Sequence, residues 1–586
     1  MTDEACEPEV FRGVSPKRSR ESVASVPSGS VHCSGGSRQR STSVSTEKSE
    51  EDALTKILSH KATYTHPLPN MGGGKVLPPP LPKSDMYRVE FDGDTDPLCP
   101  LNWPKSRKII TAVVTAMSTT NVAMISSIYA DAVIPIMEEF DVGISVGALG
   151  VSLYVLGFAT GPCIWGPLSE NFGRQMPIIV SNFLLMVFSF ACATAKDIQT
   201  LTICRFFAGA CGSAPMAVVP SIFVDMLTNE SRGMAIGCFA MGVGGGPMLA
   251  PVMSGYIVNS YLGWRWTMYI SGITSALSLA CLIIFFEETF HPIILAKKAR
   301  ELRDRTGIWG IFSSYDRMEI DLRGIVTNTI TRPFRMLGTE PILTLLSLYG
   351  GLVYAVLYMS LEAFPMIFRG YQFKGGNTSL PFLALFVGLI VAGLLQIFVF
   401  EQRYQKKLSK SHLPVLPEAR LELMMLGAPA FTISIFWTFW TGAYPKVPEH
   451  PNGVHFMAPV IGCGLFGFGF FAIFMPMMFY VIESYLMLAA SAVAANTFVR
   501  SAMAAAFPLF SVQMYENLGL QWGGTLVGCL SVLLCPIPFL FYRYGRVLRQ
   551  KSKFAVDLAS IPMPGAAPSR EKADEELEVP SSGASH

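Results

Sequence analysis

Apolar stretches of about 20 residues or more alternate with short polar stretches through most of this 586-residue chain. A helix needs about 20 apolar residues to cross the hydrocarbon core of a bilayer. The pattern therefore predicts twelve membrane-spanning helices, six before and six after a polar stretch at 288–340. Their expected bounds are roughly 109–134, 145–166, 176–195, 199–222, 234–258, 266–287, 341–364, 379–400, 420–440, 456–481, 487–511 and 522–542.

The amino-acid composition indicates whether water or lipid surrounds these segments. Hydrophobic residues make up 51% of the chain and charged residues only 15%, whereas soluble globular proteins carry about 25% charged residues. A single water-facing core could not bury this much apolar surface, which excludes a soluble protein and leaves lipid as the solvent. The twelve cysteines include no paired CxxC motifs and no adjoining histidine cluster, so we expect neither a disulfide framework nor a metal site.

Lysine and arginine are distributed unequally between the two sets of loops. They are abundant before span 1, in the central stretch, between spans 8 and 9 and after span 12, and the same set of loops contains Arg174 and Arg232. The other set of loops holds only Lys196, Arg265, Arg369, Lys374 and Lys446. Cytoplasmic loops carry the excess of positive charge, so we expect a multi-pass membrane protein with both termini in the cytoplasm. We expect it in the plasma membrane, with the vacuolar membrane as the alternative.

The predicted regions follow from these segments. Residues 1–104 are rich in serine, proline, glycine and charge, which is typical of a disordered cytoplasmic tail. Ser19, Ser41 and Ser43 follow arginines at short range, so they are candidate sites for a kinase, the alternative being a merely solvated tail. The remaining regions are a six-helix bundle at 105–287, a cytoplasmic central loop at 288–340, a second six-helix bundle at 341–545 and a cytoplasmic tail at 546–586.

The repetition of six spans suggests an internal duplication, with a substrate site between the two halves near the middle of the membrane. Asp131 and Glu362 lie late in the first span of their respective halves, and each is soon followed by a proline, Pro135 or Pro365. A carboxyl group in a low-dielectric medium can bind and release protons near neutral pH. Both acids are therefore candidate proton carriers, unless they are interfacial acids exposed to the outside water.

The stretch "GPLSENFGRQ", residues 166–175, joins spans 2 and 3. Gly166 and Gly173 allow a tight turn and a close backbone approach. Glu170 and Arg174 are four residues apart, which is close enough for them to pair with each other or to reach a neighbouring helix. An ordinary hairpin with a solvated ion pair is the alternative.

This stretch resembles G-x-L-[AS]-[DE]-x-x-G-R, a cytoplasmic signature of the major facilitator superfamily. The resemblance implies a charge latch that holds the two halves together while the protein is open to the outside, with Asp225 at the end of span 4 as the acid of the latch. Glu170 stands in place of the usual Asp, and Asn171 and Gln175 stand in place of usual basic residues.

Span 4 contains "RFFAGACGSA", which begins at Arg205. An arginine within a membrane span costs at least about 2.5–3.5 kcal/mol and is a functional candidate for that reason. The stretch matches the R-x-x-x-G element of the superfamily, whose arginine is associated with proton coupling. An arginine that snorkels to the outer surface is the alternative.

Span 5 contains "GVGGGPMLAPVMSG", residues 242–255. It resembles the G-x-x-x-G-P element typical of antiporters of this superfamily, which favours export over uptake. Proline bends such a helix, and glycines let another helix pack closely, so a simple packing face is the alternative. The matching residues are Gly242, Gly246, Pro247, Pro251 and Gly255.

Four further stretches follow in order along the chain: "DPLCPLNWPKSRK", "GWRWTMYI", "PEARL" and "AASAVAANTFVRS". Together the motifs are similar to the fungal branch of the twelve-span drug:proton antiporter family, over roughly residues 96–553. The resemblance implies the all-α major facilitator fold, with twelve transmembrane helices in two six-helix bundles. "EETF" ends span 6 where this branch often has Pro-Glu-Thr, and Glu483 replaces a usual Asp.

Polar and aromatic residues inside the spans are candidates for the substrate cavity. Tyrosine rings can stack on a flat or cationic molecule. The many phenylalanines and methionines around them favour either a large adaptable pocket or packing against lipid. The candidates are Tyr154, Tyr354, Tyr358, Asn496 and Arg500.

The chain has no P-loop with an acidic metal site and no catalytic signature of a membrane enzyme. The proton gradient remains as the energy source, without a cofactor. We therefore expect a proton-coupled exporter of small amphipathic or cationic organic molecules, such as drugs, azoles or secondary-metabolite toxins, that works as a monomer in the lipid bilayer and has no nucleic-acid partner. A polyamine exporter, a proton-coupled importer of an organic cation or vitamin, and a non-transporting sensor are the alternatives.

Overall fold

The computed structural model describes residues 87–93, 96–306, 310–317, 322–410, 417–447, 452–485, 488–550 and 552. Among these residues, eleven helical segments are long and apolar enough to cross a membrane. A twelfth span consists of two helices, Ser491–Ala506 and Pro508–Leu518, that meet at 44°. The twelve predicted spans are thus confirmed, whereas Ser19, Ser41 and Ser43 lie outside the described residues.

The first six spans form one half of the helical bundle. Span 1 is not one continuous helix: it consists of α-helices Lys105–Ser127 and Val133–Phe140, with the short 3₁₀ helix Ala130–Ala132 between them. Span 4 likewise divides into Ile198–Gly212 and Ala214–Met226. The bounds of spans 1 to 6 are Lys105–Phe140, Ile144–Phe172, Gln175–Ala193, Ile198–Met226, Ser231–Val258 and Arg265–Phe285.

The second half has the same number of spans. Span 8 contains a π-helical turn, Gln396–Glu401, and span 12 is divided into Leu520–Leu534 and Ile537–Gln550. Spans 1, 2, 7, 8, 11 and 12 run several residues beyond their predicted ends, because the helices continue past the apolar residues that the prediction counted. The bounds of spans 7 to 10 and 12 are Pro341–Gly370, Gly375–Lys407, Pro417–Gly442, Met457–Ser484 and Leu520–Gln550; span 11 is the bent pair.

The two halves meet along two pairs of helices. Span 2 packs against span 11, and span 5 packs against span 8. Because twelve spans alternate in direction, the described chain begins and ends at one end of the bundle, which we call the terminal face. At the opposite face, Gln513 Nε2 donates to Ser145 Oγ over 3.0 Å, and Tyr256 Oη donates to Asn377 Oδ1 over 2.8 Å.

The polar stretch between the halves contains helices that the sequence analysis did not predict, at His291–Thr306 and Leu322–Thr339, and the short 3₁₀ helix Ser314–Arg317. The helix Leu322–Thr339 packs against spans 2 and 11, where the Phe334 and Phe498 rings meet edge to face at 4.8 Å. It therefore contacts both halves.

Residues 87–93 and 96–103, which we call the strap, lie against the helix His291–Thr306 at the terminal face. Lys298 Nζ donates to Asp92 Oδ2 at 2.9 Å and to Asp96 Oδ2 at 3.1 Å. Burial alone would raise the pKa of Asp96, but backbone N–H donors and Lys298 outweigh it and hold this pKa below its ordinary 3.8. Burial alone would lower the pKa of Lys298, but the two carboxylates raise it above 10.5.

Candidate functional site

Asp131 lies in the 3₁₀ helix that interrupts span 1. Its carboxylate accepts hydrogen bonds from two hydroxyl groups: Ser254 Oγ donates to Oδ2 over 2.5 Å, and Ser379 Oγ donates to Oδ1 over 3.1 Å. Ser254 belongs to span 5 and Ser379 to the start of span 8. Asp131 therefore connects two spans of its own half to the other half.

Glu362 in span 7 accepts a hydrogen bond from Ser511 in span 11. If the halves are repeats, span 7 corresponds to span 1 and span 11 corresponds to span 5. The pair Glu362–Ser511 then corresponds to the pair Asp131–Ser254, so the two acids have equivalent surroundings within their halves. Both acids are partly buried rather than fully exposed. Their part in proton movement stays a prediction.

Arg205 is 1% exposed and does not reach the surface, so the snorkelling alternative is wrong. Its guanidinium donates to backbone carbonyl oxygens of spans 1 and 2: Nε to Gly150 at 3.0 Å, Nη1 to Ile125 at 3.0 Å and Nη2 to Ser126 at 3.3 Å. In the described part of the chain it forms no ion pair with a carboxylate. These contacts join three spans of the first half.

Two tyrosine rings cover the Arg205 guanidinium. Its central carbon lies 4.4 Å from the centre of the Tyr154 ring and 5.0 Å from that of Tyr129. Tyr154 Oη donates to the carbonyl of Val122 over 3.1 Å. The predicted cavity residue Tyr154 is thus part of the Arg205 environment.

A second arginine–tyrosine group belongs to the second half. The Arg500 guanidinium lies 4.6 Å from the ring centre of Tyr354 and 4.8 Å from that of Phe474. The hydroxyls of Tyr354 and Tyr358 are 3.4 Å apart, and Tyr358 Oη is hydrogen-bonded to Ser126 Oγ across the two halves at 2.7 Å.

These contacts form one group in the middle of the bundle, which we call the central site: Ser126, Arg205, Tyr354, Tyr358 and Arg500. It combines residues of spans 1, 4, 7 and 11. The predicted candidate Asn496 lies one helical turn before Arg500 and donates to Ser347 Oγ over 3.3 Å. The central site thus brings together residues that the sequence places almost 400 positions apart.

An aromatic wall adjoins Arg500. The rings of Phe470 and Phe474 in span 10 are nearly parallel, at 5° and 5.9 Å between centres. Tyr354 lies 6.3 Å from Phe470 and 6.5 Å from Phe474, tilted by 26° and 20°. The wall places aromatic rings beside a guanidinium, and of the two span 10 rings Phe470 is 1% exposed whereas Phe474 is only partly buried.

At the terminal face, the predicted latch residue Arg174 contacts the predicted acid. Arg174 Nε donates to Asp225 Oδ2 over 3.1 Å, and Nη1 donates to Ser169 Oγ over 3.0 Å. Gly173 has φ +88°, a conformation that favours glycine. Glu170 is exposed and, among the described residues, forms no ion pair, while Gly166 has open space beside its Cα.

Glu288 completes this cluster, and the sequence analysis missed its role. Its Oε1 accepts from the backbone N–H groups of Arg174, Thr289 and Phe290 at 2.9–3.0 Å, and Oε2 accepts from that of Gln175 at 3.1 Å. The side chain thus caps the first N–H groups of span 3, which have no partners within the helix. Its position in "EETF" was the available signal, but the sequence does not show what it binds.

A comparable cluster lies at the terminal face of the second half. Arg420, at the start of span 9, pairs with Glu483 at 2.8 Å and also with Glu401. Nearby, Arg549 forms a bidentate ion pair with Glu418, in which Nε donates to Oε1 at 2.9 Å and Nη2 donates to Oε2 at 3.0 Å. The sequence analysis quoted "PEARL" and Glu483 but did not predict these pairs, which a comparison of charges at equivalent span ends would have suggested.

The glycines of the span 5 motif face two neighbours. An added Cβ at Gly242 would meet Thr120 at 2.5 Å, and one at Gly246 would meet the backbone nitrogen of Met124 at 2.9 Å, both in span 1. At Gly255 it would meet Ser379 of span 8 at 3.0 Å.

Pro247 and Pro251 lie inside the same helix. Span 5 is therefore packed closely between span 1 and the other half. Elsewhere in the described part of the chain, no cluster of three histidine, cysteine, aspartate or glutamate side chains has the arrangement of a metal site.

Known proteins are similar to this chain in sequence or in fold. The chain is 47% identical over 501 residues to the major facilitator superfamily multidrug transporter FLU1 of Candida albicans, covering 85% of this chain and 81% of that protein. It is 44% identical to multidrug transporter TPO1_2 of Candida glabrata, covering 84% and 83%. It is 38% identical to the efflux pump bik6 of Gibberella fujikuroi, covering 80% and 95%.

Among solved structures, the proton:xylose symporter XylE has a similar fold, with a TM-score of 0.54 and 14% identity over 75% of this chain and 96% of that chain. The family model of the Major Facilitator Superfamily matches residues 111–508. The predicted fold and the resemblance to fungal drug transporters are thereby confirmed, and so is the expectation of a transporter rather than an enzyme. This chain belongs to the major facilitator superfamily.

Proposed function

We propose that this transporter exports small amphipathic organic molecules in exchange for protons, by alternating access between its two halves. The names of the relatives, multidrug transporters and an efflux pump, support the transport of drugs and its outward direction. The observation that carries the proton coupling is the matched pair of acid–serine contacts, Asp131–Ser254 and Glu362–Ser511.

The surroundings of Asp131 and Glu362 distinguish these two acids from the partly buried carboxylates at the terminal face. Asp225 and Glu483 are paired with arginines, so protonating either would break an ion pair. Glu362 accepts a hydroxyl hydrogen bond and forms no ion pair within the described residues. It can therefore gain and lose a proton without that cost, as a carrier must.

The contacts between the halves suit a rocking motion. At the opposite face the halves meet through neutral hydrogen bonds such as Gln513–Ser145 and Tyr256–Asn377, each of which contributes only about 0.5–1.5 kcal/mol net. The clusters of Arg174 and Arg420 each lie within one half. They keep each half rigid while the interface opens and closes.

We place the terminal face in the cytoplasm and the protein in the plasma membrane, with the substrate leaving at the opposite face. The excess of lysine and arginine in the loops of the terminal face supports this orientation. With this orientation, protons enter from the opposite face, where Asp131 and Glu362 lie.

The test uses the full chain in vesicles with an imposed pH gradient. The probes are an azole, an arene carboxylate and an organic cation, all radiolabelled. Wild type should accumulate at least one probe on the acidic side. Glu362→Gln should lower this gradient-driven accumulation at least about tenfold, because a glutamine carries no proton, while leaving exchange of labelled for unlabelled probe without a gradient.

The matched control is Glu138→Gln, which neutralises an exposed carboxyl group on span 1 near Asp131 and should leave transport unchanged. Gradient-driven accumulation by Glu362→Gln at the wild-type level would remove Glu362 from the mechanism. Accumulation of a probe on the alkaline side by wild type would favour the importer over the exporter.

A further inference from the structure

Arg500 differs from the other deeply buried arginines of the described chain. It is 7% exposed, yet it forms no hydrogen bond or ion pair with an oxygen of the described chain, and its Nε is fully buried without a partner. Its contacts are the faces of Tyr354 and Phe474. The other deeply buried arginines all donate to oxygen atoms: Arg174, Arg205 and Arg549.

The Arg500 guanidinium therefore lacks hydrogen-bond acceptors and a counter-charge among the described residues. It carries five N–H donors, and a buried charge is costly unless it is paired and hydrogen-bonded. The ring faces attract the cation but accept none of its N–H bonds in the plane of the guanidinium. A carboxylate accepts two of these bonds at once in the geometry that arginine favours.

The protein does not supply that carboxylate among its described residues. In the spans, Asp131 and Glu362 bind serine hydroxyls. Of the acids nearer the terminal face, Asp225 is paired with Arg174 and Glu483 with Arg420, and Glu288 accepts backbone N–H groups. The central site therefore holds the positive charges of Arg205 and Arg500 with no acid bound to either in the described structure.

The same arrangement disfavours a cationic substrate. The sequence analysis assigned Tyr354 as a platform for a flat or cationic molecule, but its ring already carries the Arg500 guanidinium at 4.6 Å. A second cation there would lie beside an unpaired positive charge, and like charges repel strongly where the dielectric is low.

The aromatic wall specifies the rest of the molecule. Phe474 lies against Arg500 and is nearly parallel to Phe470 behind it, and aromatic rings prefer offset-stacked or edge-to-face contacts at centre distances of about 4.5–7 Å. A ligand with an acid group on Arg500 would bring an attached ring to this wall.

We propose that the central site binds amphipathic aromatic carboxylates, with the carboxylate on Arg500 and the arene on Phe474. This inference rests on the proposed function, because it names the substrate class of the same transport route. The selectivity comes from charge. An anion accepts the free N–H hydrogen bonds of the Arg500 guanidinium and balances its charge, a neutral analogue leaves that charge unbalanced, and a cation is repelled by it.

The test compares three probes with one ring system and different charge: 1-naphthoate, 1-naphthylmethanol and 1-naphthylmethylammonium. Binding to the purified full chain in detergent is measured by titration calorimetry. Wild type should bind the carboxylate at least about tenfold more tightly than the alcohol, and the ammonium most weakly. Because this series uses the unaltered protein, it does not depend on whether a variant folds.

Variants then test whether the preference for the carboxylate depends on the charge of Arg500. Arg500→Gln should reduce naphthoate affinity at least about tenfold and abolish the preference over the alcohol, whereas Arg500→Lys should retain part of it. The control is Arg546→Gln, which removes an exposed arginine from span 12 and should change neither.

Equal or tighter binding of the ammonium compound, no binding of any probe, or unchanged naphthoate affinity in Arg500→Gln would overturn the inference. The vesicle assay separates this failure from that of the proposed function. Glu362-dependent accumulation of the azole or the cation would then leave proton-coupled export standing with a different substrate class.

Discussion

Glu288 and Glu287 are neighbours in the sequence, yet the structure predicts very different effects of neutralising them. Glu288 is 9% exposed and accepts four backbone N–H groups, three on one oxygen and one on the other. Glu287 pairs with Arg107, and the two side chains are 56% and 36% exposed. Exposed ion pairs contribute about 0–1 kcal/mol.

The magnitude for Glu288→Gln follows from these bonds. Hydrogen bonds to a charged group contribute about 1.5–3 kcal/mol net, and neutral ones about 0.5–1.5 kcal/mol. Glutamine keeps one oxygen, so three bonds become neutral, and the fourth N–H faces an amide NH₂ instead of an acceptor. Because such contributions are not additive, we expect a loss of about 2–4 kcal/mol in the free energy of unfolding.

The assay is thermal melting of wild type and the two variants in detergent, monitored by fluorescence-detected size-exclusion chromatography. Glu288→Gln should melt about 2–4 °C below wild type and Glu287→Gln within about 1 °C of it. Equal melting temperatures for both variants would refute the reasoning, because they would show that capping the start of span 3 contributes no more than a solvated ion pair.

Two further predictions concern the helix interface and the strap. Gly246→Ala should destabilise the protein by about 1–3 kcal/mol, because its methyl group meets the span 1 backbone at 2.9 Å; Gly166→Ala, which has open space, is the control in the same melting assay, and equal melting would contradict the packing. For the strap, the ionised Asp96 carboxylate contributes stability above its unfolded pKa, and this stability is lost only as the pH falls through its lowered folded pKa. The Lys298 ammonium contributes stability that is lost only as the pH rises through its raised folded pKa. Amide hydrogen exchange of the strap, corrected for intrinsic rates, should therefore be constant from about pH 5 to about pH 9. It should be faster in Lys298→Met than in the exposed control Lys297→Met, and a loss of protection near neutral pH would show that other groups hold the strap.

The spans were predictable because hydrophobicity is a local property that each segment carries alone. All twelve predicted spans are present. The break in span 1 at Ala130–Ala132 was not predicted, because nothing in the apolar pattern distinguishes it from the helix around it. The helices between the halves were also not predicted, because the prediction used apolar stretches and these helices are polar.

The candidate site was only partly predictable. Arg174 and Asp225 were named from a motif and are indeed in contact. The partners of Arg205 are backbone carbonyl oxygens, which no side-chain pattern can reveal. That Arg500 has no oxygen partner among the described residues is likewise a property of the packed bundle, because it depends on where every nearby acid lies.

The link between the halves has less freedom than its length implies. Residues 286–340 separate spans 6 and 7, but the first part of this link is held to the first half. Lys298 is bound to the strap, Phe312 exchanges backbone hydrogen bonds with Tyr87 and Val89, and Tyr315 donates to the carbonyl of Asn171 in span 2. The effective tether therefore begins near Tyr315, and because the helix Leu322–Thr339 within it contacts spans 2 and 11, a hinge rotation of one half against the other must also move this helix relative to at least one half.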